Sequence, residues 1–135
     1  MQLSDIDTFT RHYLIAALWS SHAGDDPLDA NYGLEDIATE TLKKAYIDCQ
    51  VFQNLNHHLL ILAYQFYDDN GNSAHPDAGS AAACAGHDFW LTRAGAGVGF
   101  WDRGMGLLGE KLTAAATAFR SIEFYVGDDG KIYSM

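Results

Sequence analysis

The chain has 135 residues, 48% of them hydrophobic and 19% charged, and a formal net charge of −10. That suits a single domain with one core, burying roughly two-thirds of its unfolded surface without a covalent staple, and it excludes wholesale disorder. Eight Lys and Arg against eighteen Asp and Glu also leave no basic stripe to displace counterions, so direct nucleic-acid binding is not expected.

The acidity arises from scarce bases, since no long acidic run is present. Cys49 and Cys84 are too few for a disulfide framework and read as small core residues, in keeping with a reducing compartment. Asp5 and Asp7 stand where a signal peptide would carry basic residues. The most apolar run, Leu59 to Tyr67, is about half the length that spans a bilayer. A cytosolic protein without a membrane segment is expected.

In chain order, Ser4 with Asp7 resembles a capping box. Ile6, Phe9, Tyr13, Leu14, Ala17 and Leu18 then recur at helical spacing, predicting a helix over about 5–21. Gly24-Asp25-Asp26-Pro27 ends it, and a polar loop runs to Gly33. Leu34 to Ile37 reads as a short helical turn. Thr39 reads as an N-cap. Leu42, Tyr46, Cys49, Phe52, Leu55, Leu59, Leu62 and Phe66 predict a long helix over about 40–67, with a break near Asn54-Leu55-Asn56. Asp68 to Ser73 is turn-rich. Pro76 and Asp77 start a short Ala-rich helix, 78–85, with Gly86 just beyond its end.

The C-terminal half changes character. Phe89 to Arg93 and Val98 to Asp102 read as aromatic strands joined by the Gly-rich stretch 94–97. Leu107 to Ser121 reads as a helix. Glu123 to Val126 and Lys131 to Tyr133 form a second hairpin around Gly127-Asp128-Asp129-Gly130. The predicted fold class is α+β: an N-terminal part of two to three helices packs on an antiparallel sheet made of two hairpins with a helix between them.

Motifs for chemistry are weak. Gly95-x-Gly97-x-Gly99 lacks the βαβ setting of a dinucleotide site. Asp68-Asp69-Asn70-Gly71-Asn72 suggests a calcium loop, but Ser73 and Gly79 occupy the positions that need Gly and Glu. The six histidines, among them His22, His75 and the adjacent His57-His58, show no metal-binding spacing. No metal or cofactor is expected. His87, Asp88 and Asp102 could form an acid–base trio, though no nucleophile accompanies them. In Gly86 to Gly104 an outer Trp or Arg is a candidate binding anchor, the alternative being an aromatic face packed on the helices.

Several motifs together resemble a group of small proteins encoded by bacteriophages and mobile elements. They are the stretch Phe9 to Ser20, Leu28-Asp29-Ala30-Asn31-Tyr32, His87-Asp88-Phe89-Trp90-Leu91-Thr92-Arg93, Gly99-Phe100-Trp101-Asp102-Arg103 and Tyr125-Val126-Gly127-Asp128-Asp129-Gly130. Where members of that group commonly carry Asn-Gly-His-Gly, this chain has Ala94-Gly95-Ala96-Gly97. The resemblance implies a phage accessory protein such as an anti-CRISPR protein, some of which look like DNA mimics that block the groove of a type I, Cascade-like complex.

On that reading the chain is a non-catalytic, monomeric inhibitor in the cytoplasm of the bacterial host. Its partner is a set of Cas subunits with a basic DNA-binding surface. The acidic candidates for contact are Asp25, Asp26, Asp29, Glu35 and Asp36, followed by Asp68, Asp69, Asp128 and Asp129. The alternatives are a phage structural or regulatory adaptor that self-associates through an aromatic surface, and a small hydrolase using His87, Asp88 and Asp102.

Overall fold

The computed structural model describes residues 1–70 and 80–135. Helix α1 spans Thr8–Ser20, and its N-cap is Asp7, whose carboxylate accepts from the Thr10 N–H at 3.3 Å. The start therefore lies three residues beyond the predicted one, because Ser4 and Asp5 belong to a separate 3-10 turn, Leu3–Asp5. Gln53 donates to the other Asp7 oxygen at 2.9 Å, which ties the cap to the next long helix.

The stretch expected as a loop folds into a small hairpin, β1 (His22–Ala23) against β2 (Asp26–Pro27). Two 3-10 turns follow, Leu28–Ala30 and Leu34–Asp36, the second where a helical turn was predicted. Helix α2 covers Thr39–Leu55 and α3 covers His57–Asp69. Thr39 is thus the first helical residue and Ala38 the N-cap. The predicted break falls on Asn56, whose side chain donates to the Phe52 carbonyl at 2.9 Å and so closes α2 just as α3 begins.

Part of the predicted turn 68–73, the proposed start at Pro76-Asp77 and His75 lie outside the described residues. Helix α4 runs Ala81–Ala94, with the Ser80 hydroxyl accepting from the Ala83 N–H. Phe89 to Arg93 is helix, not strand, and Val98 to Asp102 holds a 3-10 turn, Phe100–Asp102, so the predicted hairpin does not exist.

The reason is burial on every side. From Ala81 to Arg93 all but Ala82 and His87 are buried, and a helix buried all round has no amphipathic period to read. Its aromatic and β-branched residues then mimic a strand. The Gly-rich stretch is a helix terminus. Gly95 takes φ +68°, its N–H meets the Thr92 carbonyl, and the Ala96 N–H reaches back to the Leu91 carbonyl at 3.1 Å, the pattern of a Schellman cap.

Gly86 lies mid-helix rather than at an end, and it sets the position of α4. A Cβ there would collide with the backbone carbonyl of Phe9, so α1 and α4 meet backbone to backbone. Around that contact the rings of Phe9, Tyr13, Phe52, Phe89, Trp90, Phe100 and Phe119 form one cluster, with Phe52 and Phe89 stacked 4.1 Å apart.

Helix α5 spans Leu107–Thr117. The terminal hairpin forms as predicted, with β3 (Phe124–Val126) antiparallel to β4 (Ile132–Ser134). The class is α+β, with two separate two-stranded sheets among the described residues. No helix among the described residues is long and apolar enough to cross a membrane.

Gly86→Ala should cost about 3 kcal/mol or more through overpacking against Phe9, lowering Tm by about 10 °C for a domain of this size. Thermal unfolding followed by circular dichroism measures it, and a Tm within about 2 °C of the parent would refute the close approach of α1 and α4.

Candidate functional site

The motif residues between Gly86 and Gly104 mostly face inward. Asp88 is fully buried. Arg103 donates to it from Nε at 3.2 and 3.3 Å and from Nη2 at 2.8 Å, and Tyr67 on α3 donates its hydroxyl to Oδ2 at 2.5 Å. A forked guanidinium on a carboxylate is the strongest arrangement such a pair can take. Burial, then the charge and hydrogen bond of Asp88, pushes the Tyr67 hydroxyl well above its ordinary pKa, so it stays a donor. Burial alone would depress the Arg103 pKa, but the hydrogen bond and charge of Asp88 outweigh it and the net shift is upward.

Arg93, at the other end of the motif, is buried as well. Its Nε donates to the Arg120 carbonyl at 2.7 Å and its Nη2 to the Phe119 carbonyl at 3.1 Å. Nη1 serves both the Tyr13 hydroxyl at 2.9 Å and the Asp48 carboxylate at 2.8 Å. The guanidinium also lies over the Phe119 ring. To present both carbonyls the chain turns sharply after α5, with Arg120 at φ +65°.

Thr92 accepts from the Phe100 N–H at 3.1 Å, and Gly99 leaves room for its hydroxyl, which a Cβ would strike. Trp90 donates to the Ser20 hydroxyl at 2.7 Å. Neither Trp90 nor Arg93 is therefore an outer anchor. The exposed tryptophans are Trp19 and Trp101.

The His87, Asp88 and Asp102 trio takes a different form from the one an acid–base site needs. Asp88 faces Arg103 and Tyr67, Asp102 caps the Gly99 N–H at 3.0 Å, and the His87 ring lies 5.9 Å from that of Trp19. Cys49 and Cys84 are buried free thiols, as core residues should be; burial, helped by the charge of Asp88, pushes the Cys84 thiol up to about 11.

The nine acidic candidates lie outside this interior network. Asp25 is in the β1–β2 turn, Asp26 opens β2, Asp29 and the Glu35–Asp36 pair lie in the two 3-10 turns, and Asp128 and Asp129 lie in the β3–β4 turn. The Leu34–Asp36 turn adjoins β4, because Ala38 donates to the Ile132 carbonyl at 2.9 Å, and β1 adjoins β3. Six of the carboxylates, those of Asp25, Asp26, Glu35, Asp36, Asp128 and Asp129, are therefore carried by the terminal hairpin and the segments beside it.

Asp68 and Asp69 stand elsewhere, in the last turn of α3, where Asp68 is near Cys84 at the start of α4. Carboxylates there oppose the helix dipole, so their value to stability is low. Two of the nine have local duties. Asp36 accepts from the Gly33 N–H at 2.8 Å. Asp129 accepts from the Tyr133 hydroxyl at 2.6 Å and the Lys131 N–H at 3.0 Å. Among the described residues none of the nine is ion-paired with Lys or Arg.

The partners of the two buried charges were invisible to sequence reading. Tyr13, Asp48, Tyr67 and Arg103 lie on other elements, and no local spacing links them to Asp88 or Arg93. No family model, curated protein or solved structure matches the chain.

Removing either member of the Asp88–Arg103 pair strands a buried charge, which costs about 3–5 kcal/mol. In a double-mutant cycle with Asp88→Ala and Arg103→Ala, the double variant should lose far less than the two singles together, read from urea unfolding. Additive losses would contradict the forked contact.

Proposed function

We propose that the protein is a non-catalytic inhibitor of a bacterial defence complex, engaging a basic, DNA-binding surface of a type I, Cascade-like assembly through its acidic turns. The observation that carries this reading is the segregation of charge. Arg93 and Arg103, two of only eight basic residues, are drawn into the interior by Asp48 and Asp88. Eight of the nine candidate carboxylates are exposed, and none is neutralised by a Lys or Arg among the described residues.

Such a surface attracts cations at long range and raises the association rate with a basic groove. Six of the carboxylates belong to segments that adjoin β3 and β4, which favours the clustering that a phosphate-backbone mimic requires. Of the residues that suggested an acid–base site, Asp88 is committed to Arg103 and Tyr67 and Asp102 to the Gly99 N–H, which supports binding over catalysis.

With a purified type I Cascade complex, association should slow by about tenfold or more between 50 and 300 mM salt, as steered association does. The triple variant Asp25→Asn, Asp26→Asn, Asp29→Asn should slow it similarly at low salt while Tm stays unchanged. Surface plasmon resonance reads both. No binding, or binding indifferent to salt and to the triple variant, refutes the proposal.

A further inference from the structure

The outer face of the terminal hairpin carries more than charge. Phe124 and Ile132 are buried in the core, whereas Tyr125 and Tyr133 stand directly opposite each other on the other face, as the alternation of a strand requires. Their rings lie 6.0 Å apart with planes at 29°, and Tyr125 is exposed. Tyr125, Asp128, Asp129 and Tyr133 line one open depression.

Local contacts set the geometry there. The Tyr133 ring lies against Gly127, where a Cβ would stand only 2.6 Å from a ring carbon. The Tyr133 hydroxyl donates to Asp129 Oδ2 at 2.6 Å, and the Lys131 N–H donates to Oδ1 at 3.0 Å. The Tyr133 hydrogen bond, then that of Lys131, holds the Asp129 carboxyl below its ordinary pKa, so it is charged. The same Tyr133 hydrogen bond pushes the phenol up to about 12, so it stays a donor. A carboxylate oxygen can accept two hydrogen bonds, so each Asp129 oxygen keeps a lone pair for a further donor. Asp128 and Glu40, whose charge also acts on Tyr133, add to the negative potential. Lys131 makes no ion pair with Asp129 among the described residues.

These features select the ligand. An oriented carboxylate with two acceptor positions left fits the parallel N–H groups of a guanidinium. Flat rings beside it fit the guanidinium plane, which an ammonium lacks. We propose that Tyr125, Tyr133 and Asp129 form a receiving site for an arginine side chain of a partner protein. This rests on the charge-led reading of the acidic turns, for which it names the group that the partner supplies. A tyrosine pair across a hairpin also stabilises it, so the test uses a variant that keeps both rings.

Amide shifts of the intact, nitrogen-15-labelled protein, titrated with N-acetyl-arginine amide, read the site. The expected result is saturable shifts confined to residues 125–133, with the lysine counterpart binding about threefold or more weaker. Asp129→Asn should weaken arginine binding about fivefold or more with Tm unchanged. On a purified type I Cascade complex, Tyr125→Ala should hasten dissociation about tenfold and leave the salt dependence of association in place, since an anchor acts on the off-rate and peripheral charge on the on-rate. No saturable shifts at the hairpin, arginine and lysine binding alike, or a response indifferent to Asp129→Asn overturns the site, as does dissociation from Cascade that Tyr125→Ala leaves unchanged. Arginine binding at the hairpin by a protein that does not bind Cascade supports the site and refutes the counter-defence reading alone.

Discussion

The structure depends on the contact between α1 and α4 at Gly86. Because a side chain there would occupy the place of the Phe9 carbonyl, the two backbones approach closely and α4 passes through the centre of the molecule. A helix so placed must be apolar on every side or have its polar groups satisfied internally. Its two buried charges, Asp88 and Arg93, therefore recruit partners from the elements around it. Asp88 gathers α3 through Tyr67 and the stretch after the Phe100–Asp102 turn through Arg103. Arg93 gathers α1 through Tyr13, α2 through Asp48 and the exit of α5 through two carbonyls. Each charge is a multiple junction, and together they fix most of the helical arrangement.

From Asp88 to Arg93 every residue is buried, and the two charged ones, with Arg103, are held by hydrogen bonds inside the fold. The parts that the architecture leaves outside include the acidic turns around the terminal hairpin and exposed apolar residues of α2 and α3. The two surfaces differ in character, one led by charge and the other by apolar area.

Much of the fold was legible because the relevant signals are local. Asn56 divides α2 from α3 near the predicted place, and Asp-Gly within 127–130 marks the terminal turn that joins β3 to β4. The helices α1, α2, α3 and α5 each keep one wet face, so their periodicity survives. Helix α4 keeps almost none, and its aromatic run imitates a strand. The Gly95 cap imitates a hairpin turn for the same reason that it works as a cap, since both require a positive φ.

The candidate carboxylates could be found by composition, but their grouping depends on how β1, the Leu34–Asp36 turn and β4 come together, which no local pattern encodes. The exposed apolar residues of α2 and α3 were hidden inside a correct assignment. Leu55 and Leu62 counted towards the helical period on the assumption that apolar residues face the core, whereas both face outward.

Phe89 to Arg93 is a helical turn buried on every side and locked by the Arg93 junction. Native-state hydrogen exchange tests it directly. The account predicts that the amides of Phe89 to Arg93 exchange only through global unfolding, at the highest free energy in the chain. Exchange of these amides at a free energy well below that of the core of α1, through local opening, would contradict it.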